Sequence, residues 1–141
     1  MSICRRWKRE TGIVDRCTAE QLAAYAADYT CLPPGTIRQC ASSKAWIALA
    51  DDGGGACLGV DLDPDAAGSA GQVISFGGRE FTRVQAGASL EQFLESLLGL
   101  YENGEYALVE EDDDVFSLAN VGPYGATHFL DYLRLKAEGA R

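Results

Sequence analysis

The sequence predicts an α+β fold: a single domain with a central antiparallel sheet of about four strands, flanked by N-terminal and C-terminal helices. Three observations lead to this class. The chain has 141 residues, which is the common size of one domain. Its short apolar stretches cluster in the middle, separated by glycine-rich turns. Apolar residues at helical spacing lie before and after that middle region.

Two capping boxes mark the first two predicted helices. Residues 18–21 (TAEQ) precede apolar residues at helical spacing, so we expect a helix over 19–29 that ends before the prolines at 33 and 34. Residues 89–92 (SLEQ) open a second helix. Its apolar positions fall at i, i+3, i+4, i+7 and i+8, and they are Leu90, Phe93, Leu94, Leu97 and Leu98. A last helix is predicted near the C-terminus, with Phe129, Leu130 and Leu133 on its apolar face.

A hairpin is predicted in the first half of the chain. Residues 45–50 (AWIALA) and 56–62 (ACLGVDL) read as strands, and residues 51–55 (DDGGG) as the turn between them. Apolar residues alternate in the second strand, so we expect Leu58, Val60 and Leu62 to face the core.

Two further strands follow this hairpin. We expect a third strand at 72–76 and a fourth at 81–84, joined by a turn at Gly77 and Gly78. A short apolar segment at 106–109 comes after the second helix, and no strand is assigned to the residues beyond it.

The charge is negative and unevenly distributed. The net charge is −9, yet residues 1–16 hold five bases and two acids, a balance of +3. Residues 45–131 hold sixteen acids and two bases, a balance of −14. Such a surface repels nucleic acid and anionic lipid, so we expect neither as a partner. A basic protein is the expected partner, because opposite fields accelerate association. The alternative is that the acidity serves solubility alone.

Two acidic segments supply the candidate partner-binding residues. One surrounds the predicted hairpin, and the other is the run at 110–114, which reads either as a solvated loop or as an electrostatic docking strip. The candidates are Asp51, Asp52, Asp61, Asp63, Glu110, Glu111, Asp112, Asp113 and Asp114.

The first acidic segment also invites comparison with a calcium loop. Counted from Asp61, an EF-hand needs glycine at position 6 and glutamate at position 12, where this chain has Ala66 and Gln72. We therefore expect no metal and no cofactor. The chain has one histidine, His128, and no nucleophile elbow, so we expect no catalytic residues and no enzyme.

The cysteines point to a reducing compartment. There are five, an odd number without zinc-site spacing, which favours free thiols in the cytoplasm. No apolar stretch of useful length follows the basic N-terminus.

A set of short motifs between residues 44 and 106 resembles the SUKH superfamily, which is typified by fungal cell-wall assembly regulators and bacterial immunity proteins. The motifs are a Trp-Ile strand, an acidic Asp-Gly-Gly turn, a Leu-Asp-Pro strand end, a Gly-Gln-Val-Ile strand and an Ala-Ser helix cap. They occur here at Trp46, Asp52, Leu62, Gly71 and Ala88 with the residues that follow each. Residues 1–43 do not align.

The resemblance implies one SUKH-like domain over residues 1–141, with residues 1–43 divergent or shortened. It also implies a non-enzymatic protein-binding module. The main expectation is a bacterial immunity protein whose acidic surface neutralises a basic nuclease toxin. The alternative is a regulatory or scaffolding protein of an envelope-related assembly, and a metal-binding or enzymatic protein is the third reading. The oligomeric state stays open.

Overall fold

The computed structural model describes residues 2–112, 115–122 and 125–139. Its contacts divide the chain into unit 1, Met1–Leu90, and unit 2, Glu91–Arg141. The elements up to the end of unit 1 are α1 (Ile3–Arg16), α2 (Ala19–Ala26), β1 (Thr30–Leu32), β2 (Trp46–Asp51), β3 (Cys57–Asp61), β4 (Gln72–Phe76) and β5 (Thr82–Gly87). Those that follow are α3 (Leu90–Glu102), β6 (Tyr106–Asp112), β7 (Val115–Gly122), β8 (Gly125–Thr127) and α4 (Phe129–Gly139).

The sheet of unit 1 has five strands in the order β1-β5-β4-β3-β2. Strands β2 to β5 correspond to the four predicted strands and pair as an antiparallel meander, and β1 joins β5 in parallel. The α+β class is confirmed, and helices precede and follow these strands in the chain. The sheet is mixed because β1 is parallel to its neighbour. Strand β1 was not predicted, because it has only three residues and Pro33 ends its apolar run.

The core of unit 1 is built around two aromatic rings. Trp46 on β2 and Phe76 on β4 are almost fully buried, and their ring centroids lie 5.3 Å apart. Ile37 and Ile74 complete the buried cluster with smaller neighbours. All five residues of β4 are buried, so β4 is the central strand in burial as well as in position.

The two faces of β3 are the reverse of those predicted. Cys57 and Asp61 are fully buried, whereas Leu62 is 55% exposed. Gly59 lies on the buried face, and a side chain would not fit there, because a Cβ would lie 2.8 Å from Ala48 Cα, next to an irregularity in the β2–β3 register. The alternation of leucine and valine was therefore a misleading guide to the inward face.

Helix α1 lies along the edge strand β2 and was not predicted. Its contacts with residues 44–51 are polar: Arg6 Nε is 2.7 Å from Asp51 Oδ2, and an Arg6 guanidinium N–H donates to Leu49 O at 2.9 Å. Trp7 Nε1 donates to Lys44 O at 2.9 Å. A helix that is held by polar contacts cannot be predicted from the periodicity of apolar residues. The helix protects an otherwise open edge of the sheet.

Unit 2 contains a second, three-stranded antiparallel sheet in the order β6-β7-β8. The predicted helices at both ends of this unit are confirmed as α3 and α4, as is α2 with its capping box in unit 1. The apolar segment predicted at 106–109 extends through the acidic residues as β6.

Candidate functional site

The aspartates of the β2–β3 turn organise the turn itself. Asp51 Oδ1 accepts from Gly53 N at 3.0 Å, in addition to the ion pair of Asp51 with Arg6. Asp52 Oδ1 accepts from Gly54 N at 2.7 Å and from Ala56 N at 3.0 Å. These are the side-chain-to-backbone bonds for which aspartate is favoured in turns. Asp52 is exposed, whereas Asp51 is half-buried and its charge is balanced by Arg6.

The next two candidate aspartates lie at the end of β3. Asp61 is fully buried, and its carboxylate accepts from Gln72 Nε2 at 2.9 Å and from Asp63 N at 2.9 Å. Asp63 is exposed and pairs with Arg38 at 3.0 Å. Asp61 therefore holds a loop from inside, and the expectation that it contacts a partner is corrected by its burial.

As far as Asp112, the acidic run forms the end of strand β6 and is not a loop. Glu110 and Asp112, two apart along the strand, are exposed. Nothing is described of the Glu111 side chain, and Asp113 and Asp114 lie outside the described residues. The solvated-loop reading is wrong for residues 110–112, while a role in partner binding stays a prediction. The two acidic segments belong to different units.

A group of exposed apolar side chains in unit 2 was not predicted as a site. We call it the α3–β6 surface, and it consists of Leu94, Leu98 and Tyr101 on α3 with Tyr106 and Leu108 on β6. Leu94, Leu98 and Leu108 are 52%, 55% and 70% exposed. The rings of Tyr101 and Tyr106 meet at 5.5 Å between centroids and join the two elements.

The geometry of α3 explains why leucines remain outside. Phe93 is the buried residue of this helix and packs against Phe129 of α4, with ring centroids 6.0 Å apart. At 3.6 residues per turn, Leu98 lies about 140° around the helix from Phe93. The predicted apolar face is thus wider than the part that unit 2 buries. That width is the sequence signal which could have indicated an exposed apolar surface.

The same stretch of chain is uniformly acidic. Residues 91–112 contain seven acids and no base. On α3 itself, Glu91, Glu95 and Glu102 are exposed. On β6, Glu110 is exposed on the same strand as Leu108. Apolar side chains and negative charge therefore lie next to one another on α3 and on β6.

The buried thiol of Cys57 and the half-buried thiols of Cys31 and Cys40 are unsuited to nucleophilic chemistry. Burial raises the pKa of Cys31 and Cys40, although the nearby Arg83 guanidinium acts in the opposite direction. Burial also raises the pKa of Cys57 to about 11. A thiol with a raised pKa is protonated at neutral pH, and the thiolate is the reactive form.

The raised pKa of Cys57 predicts a loss of stability at alkaline pH. Folding holds the Cys57 proton more tightly, so its contribution is complete below pH 9.0 and is lost as the pH rises from 9.0 to about 11. Urea unfolding at pH 8 and pH 10.5 should show a larger decline for the parent chain than for Cys57→Ala. Equal declines would contradict the assignment.

The described residues contain neither a candidate membrane-spanning helix nor a candidate metal-binding cluster. In the described ranges, no helix has both the length and the apolar character needed to cross a membrane. Within residues 2–112, 115–122 and 125–139, no group of three or more His, Cys, Asp or Glu side chains is placed to hold a metal ion.

The chain is similar in sequence to named fungal regulators. It is 33% identical over 129 residues to a cell wall biosynthesis/cell cycle regulator smi1 of Schizosaccharomyces pombe, an alignment that covers 92% of this chain and 24% of that protein. It is 36% identical over 91 residues to the cell wall assembly regulator SMI1 of Saccharomyces cerevisiae, covering 64% of this chain and 18% of that protein. A glucan synthesis regulatory protein of Neurospora crassa is 34% identical over 87 residues, covering 62% of this chain and 16% of that protein. No family model matches the chain.

These alignments differ in how much of each protein they cover, and they correct one expectation. The chain spans about a quarter or less of the length of each of these relatives. The first alignment extends well beyond residues 44–106, over which the motifs were recognised. The expectation of a bacterial immunity protein that neutralises a toxin is wrong, because the similar proteins are named as regulators of cell wall or glucan synthesis.

Proposed function

The chain belongs to the SUKH superfamily, and we propose that it is a regulatory or scaffolding protein of an envelope-related assembly. In this role the chain binds another protein. Catalysis plays no part, and the cytoplasm is the proposed location. The names of the similar proteins support a regulator, and those names describe proteins several times longer than this chain.

The observation that carries the proposal is the α3–β6 surface. Scattered exposed leucines are ordinary, but adjacent exposed apolar side chains rimmed by charge are typical of protein-binding sites. Leu94 and Leu98 lie one helical turn apart, and Tyr101 follows three residues later. A regulator that acts by binding another protein needs such a surface.

A segment exchange tests this function. The part of the Saccharomyces cerevisiae regulator that aligns with this chain would be replaced by the chain, and growth would be measured under cell wall stress. We expect the exchanged protein to support growth, whereas deletion of the aligned part should not. If the exchange and the deletion are equally defective, the proposed function is wrong.

A further inference from the structure

We propose that the α3–β6 surface binds a segment of a partner protein in which apolar side chains alternate with lysine or arginine. This inference rests on the proposed function for the statement that the partner is a protein. It adds the place of contact and the chemistry of the segment.

The α3–β6 surface is continuous from the helix to the strand. Leu94 and Leu98 are neighbours at i and i+4 on α3, and Tyr101 follows Leu98 at i+3. Tyr101 contacts Tyr106 edge to face at 5.5 Å. Tyr106 and Leu108 are two apart on β6, which places them on one face of that strand. The five residues thus form one uninterrupted apolar strip.

Strand β6 lies at an edge of its sheet. The order β6-β7-β8 gives β6 a strand neighbour on one side within the described residues. At seven residues it is long for an edge strand, and Tyr106 and Leu108 on it are 45% and 70% exposed. Long edge strands with exposed apolar residues are favoured places for association.

The residues around the apolar strip are negatively charged. The apolar strip lies within residues 91–112, which carry seven acids and no base. A partner segment that brings lysine or arginine beside its apolar residues gains attraction from Glu95, Glu102 and Glu110. An acidic segment, or the same strip of a second copy, would place like charges together. Anionic membranes are repelled for the same reason.

A binding measurement with defined peptides tests the inference. The probe is a labelled 14-residue peptide in which leucine and lysine alternate, and the control peptide has the same composition in scrambled order. Titration of the whole chain by fluorescence anisotropy gives the two dissociation constants. We expect the ordered peptide to bind at least tenfold more tightly than the scrambled one.

Matched variants locate the contact. Leu98→Ser removes an exposed leucine of the strip, and Leu62→Ser removes a leucine of the same 55% exposure from unit 1. We expect Leu98→Ser to weaken binding of the ordered peptide roughly tenfold, as for a leucine that becomes buried. Leu62→Ser should leave it unchanged. Glu95→Gln with Glu102→Gln should weaken binding and reduce its salt dependence, whereas Asp28→Asn in unit 1 should not.

Several results would overturn the inference. Equal binding of the two peptides, or equal effects of Leu98→Ser and Leu62→Ser, would remove the surface from consideration. Binding to zwitterionic vesicles that Leu98→Ser abolishes would identify a membrane as the occupant. Concentration-dependent dimers that Leu98→Ser abolishes would identify a second copy. Thermal melts of each variant check that the fold is intact.

The two proposals can fail separately. If the segment exchange supports growth and the peptide results are negative, the regulatory function stands and the docking inference falls. If the peptides bind as expected and the exchange fails, the surface is a binding site in a protein of another function.

Discussion

Replacing Arg83 with alanine is expected to lower the free energy of unfolding by about 3–5 kcal/mol. Arg83 on β5 is fully buried, and its guanidinium donates to Cys40 O and, at 2.8 Å, to Ala41 O. The guanidinium carbon lies 3.7 Å from the centroid of the Tyr29 ring and 4.7 Å from that of the Trp46 ring. Alanine would leave a large cavity and two carbonyls without these donors.

Two controls separate the causes of that loss. Burial lowers the pKa of Arg83, but an arginine remains charged at every pH at which the fold is studied. Arg83→Lys keeps a positive charge and loses the planar fork, so an intermediate loss is expected. Arg79→Ala, at an exposed arginine, should change stability by no more than about 0.5 kcal/mol. Urea unfolding measures all three, and a loss below about 1 kcal/mol for Arg83→Ala would contradict the structural role.

Replacing Gln72 with leucine is expected to cost about 3 kcal/mol, although the size of the side chain is nearly kept. Gln72 is fully buried, and its Nε2 donates to Thr36 O at 2.8 Å and to Asp61 Oδ2 at 2.9 Å. Its Oε1 accepts from Gln85 Nε2 at 2.7 Å. Leucine would leave the buried Asp61 carboxylate without this donor, which is the costly outcome for a buried charge.

The matched control is Gln39→Leu. Gln39 is exposed, and its Nε2 likewise makes two donations, in this case both to backbone carbonyls, Ala26 O at 3.2 Å and Tyr29 O at 3.0 Å. Water can replace the donors there, so a loss of about 1 kcal/mol or less is expected. If the two substitutions cost the same in urea unfolding, burial of the Gln72 network is not what makes it stabilising. A double variant with Asp61→Asn would then show how far the two buried groups depend on each other.

The elements that the sequence predicted well are those with strong local signals. The capping box at Thr18 is present, with Gln21 N donating to Thr18 Oγ1 at 3.2 Å and Thr18 N donating to Gln21 Oε1 at 2.9 Å. Strand β4 has the predicted bounds, 72–76, because a short segment with β-branched and aromatic residues lies there between two glycines. Such signals depend on neighbours in the chain and need no tertiary contact to be read.

The missed features depend on contacts between distant residues. Helix α1 is held by Arg6 and Trp7 through polar contacts with residues 44–51, and nothing in residues 1–16 specifies that neighbour. The inward face of β3 carries Gly59, which approaches the backbone of β2, and Asp61, which accepts a hydrogen bond from Gln72. An alternation of apolar residues predicted the opposite face because it holds no information about these distant partners.

For the candidate site, the sequence predicted the sign of the charge but not the position of the surface. The sequence indicated an acidic protein-binding module, but it could not indicate that Asp51 and Asp63 are paired with Arg6 and Arg38. Nor could it separate Phe93, which is buried, from Leu94 and Leu98, which are exposed, because all three lie in one periodic pattern. The α3–β6 surface became visible only with the side chains in place.

The parallel pairing of β1 with β5 predicts an order of assembly. Thr30 pairs with Thr82, a separation of fifty-two residues along the chain, whereas β2 to β5 pair through successive neighbours. Closing a long loop costs more chain entropy than closing a hairpin, so we expect the meander to form before β1 is added. The N-terminal segment would then join a sheet that already exists, and substitutions in the meander should change the rate of refolding more than substitutions in β1.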